Sequence, residues 1–325
     1  MIKKIILLFL VWKISIFTVT SVFIPVIADD FVFVPREHRF YTPIQSNDLI
    51  RRFANFDGMS YLKIARDGYF SSELGYFPLY PILIKFFSQI PLTFFNHRFY
   101  VITAEVLSNI AFMLSLIVMY KIMRQDKIQN IFTLLVFVVL LYPTSFYFGA
   151  AYNDSLFLLF ATLTLYLSRK KRWILASIFG GLATLTRLNG LALVFLILGE
   201  YVIQTNGNKK LFAKKFVYQT WISAIKRSFS FKKMMKEKII GVLLVPIAFI
   251  AYLAYINIQF GSFYTLFSSM DRWGQDRIIF PPQVIWRYIK IIFLYPTFKL
   301  NYWIAVLETS SVALYCFATV KKEAS

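Results

Sequence analysis

An apolar run from Ile5 to Ala28, entered through Lys3-Lys4, restricts most strongly how this chain can fold. As a helix it is long enough to cross a bilayer, for which about 20 residues suffice. Further apolar stretches cover residues 77–95, 99–120, 129–149, 152–168, 173–203, 239–260, 284–298 and 302–320. Hydrophobic residues make up 58% of the 325 positions and charged ones 16%, against about a quarter in a soluble domain. One water-facing core cannot absorb that much apolar surface. The expectation is an all-α polytopic membrane protein: a single integral membrane domain over 1–325 with about 8–10 hydrophobic segments. No small-x-small cleavage site follows the first run, so it reads as a membrane helix rather than a removed leader.

Two stretches need separate treatment. The run 173–203 is too long for one span and is broken at Thr186-Arg187-Leu188-Asn189-Gly190, so it is read as two shorter helices. The run 284–298 contains Arg287, Lys290 and Pro296 and is a poor span. If 77–95 is re-entrant or lies on the outer surface, the inside receives Lys3-Lys4, residues 121–127, 169–172, 209–238 and 321–322. These segments hold 21 of the 36 basic residues. That arrangement satisfies the retention of Lys and Arg on the cytoplasmic side, and it places the chain in the cell membrane as a multi-pass protein with both termini cytoplasmic. The same bracketing accounts for the net charge of +20 without any nucleic-acid partner. The segment 205–238 mixes Lys and Arg with aromatics and reads as a basic, interfacial segment resting on anionic membrane lipids. The lone Cys316 allows no internal disulfide, and His38 and His97 are too scattered for a metal site.

Polar residues gather on the outer side of this topology. The loop 29–76 carries Asn55-Phe56-Asp57-Gly58-Met59-Ser60-Tyr61, then Arg66-Asp67-Gly68-Tyr69, and leads to Tyr76-Phe77-Pro78-Leu79-Tyr80-Pro81. Asp57 suits the N-cap of a short helix, and Gly68 the left-handed position after its end. The two prolines are expected to break a regular helix start and the aromatics to sit at headgroup level. Asn153 or Asp154, in Tyr152-Asn153-Asp154-Ser155, could cap the span that follows. Arg187 interrupts two apolar runs, and a cation there is expensive enough to suggest an anionic partner: Asp57, Asp154 or a phosphate. Arg272 and Arg277 lie in a later polar loop, where simple solvation is the plain alternative. Carboxylates, amides, arginines and aromatics on one face suit a ligand with a phosphate, a hydroxyl-rich head and a lipid tail.

These strings resemble the PIG-V family of mannosyltransferases, within the GT-C glycosyltransferases. Phe56-Asp57-Gly58…Tyr61…Ile64-Ala65…Gly68-Tyr69, followed by Phe77-Pro78-Leu79-Tyr80-Pro81, is similar to the family's first-loop signature, with Phe56 where Trp is usual. Tyr142-Pro143…Tyr152-Asn153-Asp154-Ser155-Leu156-Phe157 is similar to its second signature, where the acid is often Glu. Arg187-Leu188-Asn189-Gly190 is similar to its Arg-x-Asn-Gly element. The ordered set covers roughly residues 1–290. The resemblance implies a GT-C-like helical bundle whose extracytoplasmic first loop contains short amphipathic helices. It implies an inverting transfer of a sugar, mannose in type, from a polyprenyl-phosphate carrier to a lipid or glycan acceptor outside the membrane. Asp57 would be the base. Arg187 would hold the carrier phosphate, and Asn189 would bind substrate beside it. Asn153 and Asp154 would hold hydroxyls, and Tyr61, Tyr69 and Tyr80 would line sugar or lipid access. Arg272 and Arg277 are weaker phosphate candidates. No cofactor and no metal is called for, because arginine can neutralise a leaving phosphate. A transporter or lipid-linked-sugar flippase is the alternative, expected to show ionisable residues at mid-bilayer and repeat symmetry. A non-catalytic scaffold is the third reading.

Overall fold

The structure is a computed structural model that describes residues 1–27, 53–89, 98–142, 144–206 and 237–271, with a few isolated positions beyond them. The described residues are helical, with no strand among them. The elements are α1 (Ile2–Ile27), α2 (Asp57–Asp67), α3 (Leu79–Ser88), α4 (Arg98–Gln125), α5 (Ile131–Leu134, running on as a π-helical stretch Leu135–Leu140), α6 (Asp154–Arg169), α7 (Trp173–Thr186), α8 (Leu193–Asn206), α9 (Leu244–Phe260) and α10 (Thr265–Met270). Among the described residues, four helical stretches are long and apolar enough to cross a membrane: Ile2–Val22, Phe99–Gln125, Leu188–Asn206 and Ile239–Phe260. The chain is a membrane protein of the all-α kind.

Local chemistry explains these helices. In α1 the hydroxyls of Ser15, Thr18 and Ser21 donate to carbonyls four residues earlier, so polar side chains in an apolar helix remain satisfied where water is absent. Glycines let α7 and α9 close on each other. A Cβ at Gly180 would lie 2.8 Å from Val245 Cγ2, and one at Gly181 would lie 3.1 Å from the Leu244 carbonyl oxygen. In the core beside α1, Phe112 stacks on Phe148 and packs against Phe9 and Trp12.

Contacts fix the helix directions. Phe9 packs on Phe112, whereas Lys13 reaches Glu105, so α1 and α4 are antiparallel. Asp126, just after α4, pairs with Arg169 at the end of α6, and Gly241 touches Ile174 at the start of α7. The starts of α1, α7 and α9 therefore share one end of the bundle with the ends of α4 and α6. Lys3, Lys4, Lys121, Arg124, Lys127, residues 169–172 and Lys238 all belong to that end. The opposite end receives α2, α3, the start of α6 and the end of α7. There Tyr252 of α9 donates to the Leu74 carbonyl.

Several expectations change in detail. The run 173–203 is split as expected, with Arg187 between α7 and the tight turn Leu188–Ala192 that opens α8. Of the stretch 77–95, the described residues up to 89 form α3, ten residues and too short to cross, and 90–95 lie outside the described residues. The stretch 129–149 is not one continuous helix. It stops at Leu140 and resumes as a separate turn, Ser145–Gly149, whose Ser145 hydroxyl donates to the Leu140 carbonyl. Pro78 and Pro81 do not break a helix start. They flank the first turn of α3, where amide protons have no intrahelical acceptor anyway. Charges are also not confined to the bundle ends, because Lys13 and Glu105 meet inside α1 and α4. The two late apolar stretches, nearly all of 205–238, and Arg272, Arg277, His38, His97 and Cys316 lie outside the described residues.

Candidate active site

Phe56, Asp57 and Gly58 form the first corner of the site. The Gly58 amide donates to the Asn55 carbonyl at 3.0 Å, and Phe56 holds φ 52° and ψ −121°. These are the angles of the first central residue of a II′ turn, where glycine is normal, so a phenylalanine there stores about 1–3 kcal/mol of strain. Asp57 is consequently the first residue of α2 and not its cap. Phe56 occupies the cap position, and no side chain caps this helix. The Asp57 carboxylate instead accepts a hydrogen bond from the Tyr76 hydroxyl at 3.0 Å. Gly68 ends α2 with φ 88° and ψ −175°, an extended positive-φ conformation open to glycine rather than the left-handed helical one.

The loop before α6 forms the second corner. Asn153 precedes the helix but does not cap it. Its amide donates to the Thr186 carbonyl at 2.6 Å, joining the start of α6 to the end of α7. Asp154 pairs with Arg187. Arg187 itself is extended at the end of α7, and its carbonyl accepts from the Gly190 amide at 2.9 Å. Gly190 is required by packing: a Cβ there would lie 2.3 Å from the Thr184 amide nitrogen.

The two corners are sewn together by two hydrogen bonds to backbone carbonyls. The Ala151 amide donates to the Phe53 carbonyl at 2.7 Å, and the Tyr152 hydroxyl to the Asn55 carbonyl at 2.8 Å. A Cβ at Gly58 would stand 3.1 Å from the Ala151 carbonyl oxygen, so the start of α2 lies directly on this loop.

Between the corners lies a cavity of about 300 Å³ with Asp57, Tyr61, Tyr76, Asn153, Arg187 and Asn189 in its wall. Gly75, Phe77, Thr186, Leu188 and Met270 complete it. The Tyr61 ring sits edge-on between Tyr76 and Tyr80, with centroids 5.1 and 5.2 Å away. Burial, and then the charge of Asp57, push the Tyr61 phenol well above its ordinary range, and the same causes act on Tyr152. Both stay neutral at physiological pH. The cavity thus offers a carboxylate, a guanidinium, two amides and two tyrosine side chains around one volume.

Asp57, Tyr61, Asn153, Arg187 and Asn189, expected from sequence, line this cavity, and Asp154 reaches it through Arg187. Tyr69 and Tyr80 do not line it. The Tyr69 hydroxyl donates to the Tyr76 carbonyl at 2.5 Å, and the buried Tyr80 hydroxyl bonds the Ala104 carbonyl and Ser108 on α4. Both shape the wall from behind. Tyr76 and Thr186 also line the cavity, and local sequence does not mark either as a site residue. No spacing rule marks a tyrosine 19 positions after its carboxylate.

Comparison of the chain with profiles of protein families, with curated proteins and with solved structures finds no match.

Proposed function

We propose that this chain is a membrane glycosyltransferase of the PIG-V type, moving a sugar from a polyprenyl-phosphate carrier to a hydroxyl of a lipid or glycan. The observation that carries the reading is convergence. Asp57, Asn153 and the Arg187–Asn189 element, from three separate parts of the sequence, meet at one cavity. That cavity lies at the bundle end away from the basic loops. By the positive-inside rule it faces outward, with the N-terminus cytoplasmic.

The chemistry follows from the residue types. An acceptor hydroxyl within reach of Asp57 gives its proton to the carboxylate as its oxygen attacks the anomeric carbon. The bond from that carbon to the phosphate oxygen breaks with inversion, and the carrier phosphate leaves as an anion. Arg187 stabilises this departing charge, oriented by Asp154. Tyr76 holds the Asp57 carboxylate through one oxygen and leaves the other for the acceptor. The amides of Asn153 and Asn189 suit sugar hydroxyls.

An in-membrane assay with radiolabelled polyprenyl-phosphate-mannose and, separately, polyprenyl-phosphate-glucose tests the reading. Wild-type membranes should transfer label to lipid or glycan, and Asp57→Asn should reduce transfer by about 10²–10⁴-fold while still inserting. Normal transfer by Asp57→Asn would remove Asp57 from the role of base. The transport reading has one observation in its favour, the Lys13–Glu105 pair inside two long helices. Movement of a lipid-linked sugar across proteoliposomes without any transfer would replace the enzyme reading by that one.

A further inference from the structure

Lys13 is a cation inside the first membrane helix, and the chemistry above makes no use of it. Its ammonium donates to Glu105 Oε1 at 2.7 Å and to the Gly149 carbonyl at 2.8 Å, and it lies 4.2 Å from the centroid of the Phe53 ring. An ammonium has three donors, and here each direction has a partner. The Asn109 amide also donates to the Gly149 carbonyl, at 3.3 Å. From the side of α1, the Trp12 ring presses on Gly149, where a Cβ would lie 3.0 Å from its Cη2.

An ion pair within two long apolar helices, its side chains 20% and 16% exposed, is costly to bury, so its position calls for a reason. Joining α1 to α4 does not supply one, since Phe9 and Trp12 already pack on Phe112. What the ion pair adds is a second and shorter donor, beside Asn109, for the carbonyl of the buried Gly149. Gly149 stands five residues before Asp154. Phe53, under the same ammonium, is four residues before Asp57. Between these two segments run the Ala151–Phe53 and Tyr152–Asn55 hydrogen bonds.

We infer that Lys13 is a positioning residue: its ammonium, held by Glu105, sets the Gly149 and Phe53 segments against each other and thereby fixes the distance between Asp57 and the Asp154–Arg187 pair. The catalytic consequence rests on the reading of the cavity as a transferase site. The geometric claim does not, and it is tested separately.

Lys13→Met alone would strand the Glu105 charge and could fail to fold. The variant that decides is Lys13→Met with Glu105→Met, which buries no unpaired charge and still removes the shorter donor to Gly149. Hydrogen–deuterium exchange in nanodiscs reads the result. The expected outcome is about tenfold faster exchange over residues 148–153 and 53–58, unchanged exchange in α7 and α9, and recovery of protection in Lys13→Arg. Unchanged exchange in the double variant would overturn the inference, and so would an equal rise throughout the bundle, which marks mere loosening. Where wild type transfers sugar, the double variant should lose about tenfold in kcat with little change in KM. Faster exchange with wild-type kcat would also overturn it. A wild type with no transferase activity breaks the functional reading alone and leaves the exchange result to decide this one.

Discussion

Arg169 and Arg187 sit at opposite ends of the same helix pair and are used differently. Arg169 ends α6 and is gripped by two carboxylates, Asp126 after α4 and Glu200 on α8, the latter at 3.2 Å. Its side chain is 24% exposed. Arg187 follows α7, is 42% exposed, and pairs with Asp154 at the wall of the cavity. The first cation is enclosed by acids from neighbouring helices, which is how a bundle end is tied together. The second is presented to an open volume that also contains the Asp57 carboxylate. Pairing with a carboxylate therefore does not separate an arginine that ties helices together from one that lines the cavity. What separates them is how much of the guanidinium still faces space that a ligand can fill.

Exchanging the two arginines for methionine breaks the comparison most directly. Arg187→Met should lower sugar transfer by about 10²–10³-fold, the usual cost of losing one charge-stabilising donor, with a small effect on the thermal midpoint in detergent. Arg169→Met should do the reverse, leaving transfer near wild type and lowering stability by about 1 kcal/mol, as for a partly exposed pair. Equal losses of transfer in both variants would mean that Arg187 acts through the fold alone.

Gly190→Ala comes next. The added methyl must displace the Thr184 backbone, since it would stand 2.3 Å from that amide nitrogen. Overpacking of this kind costs about 1–3 kcal/mol, and the strain falls on the turn that aims Arg187. Transfer should fall together with stability. The matching change at Gly199, where nothing lies within 4 Å of the added carbon, should be silent in both measurements. A silent Gly190→Ala would show that the turn after Arg187 has slack.

The sequence made some of this legible and hid the rest for physical reasons. Apolar runs and basic clusters placed α1, α4 and α9, and the interruption at Arg187 divided α7 from α8, because both signals are local. Asp57 and Arg187 stood out as charges beside apolar runs. The capping role expected of Asp57 failed because N-cap preference is a local average, and here a strained Phe56 takes the cap position instead. Tyr69 and Tyr80 were read as walls because an aromatic in a motif does not show which way its hydroxyl points. The break of 129–149 at Leu140 was invisible to hydropathy, which averages over the turn that Ser145 stabilises. The Lys13–Glu105 pair joins residues 92 positions apart, and no period or spacing connects them.

The smallest expected effect concerns the phenols around the cavity and contrasts the site end with the basic end in its response to alkali. In the folded chain, burial and the neighbouring Asp57 charge hold the Tyr61 phenol protonated well above its usual range. In the unfolded chain it ionises near pH ~10. The folded state thus retains a proton that the unfolded state releases, so raising the pH favours unfolding. This stabilisation is complete below about pH 10 and is lost progressively above it, toward the raised value of the folded state. The thermal midpoint should be flat from about pH 7 to 9 as far as this group is concerned, and fall beyond. Tyr61→Phe removes the titrating group and should make the alkaline fall shallower, while transfer at neutral pH changes little if the phenol only lines the wall. A loss of transfer in Tyr61→Phe with an unchanged alkaline slope would mean that the hydroxyl contacts substrate, and would move Tyr61 from the lining of the cavity into its chemistry.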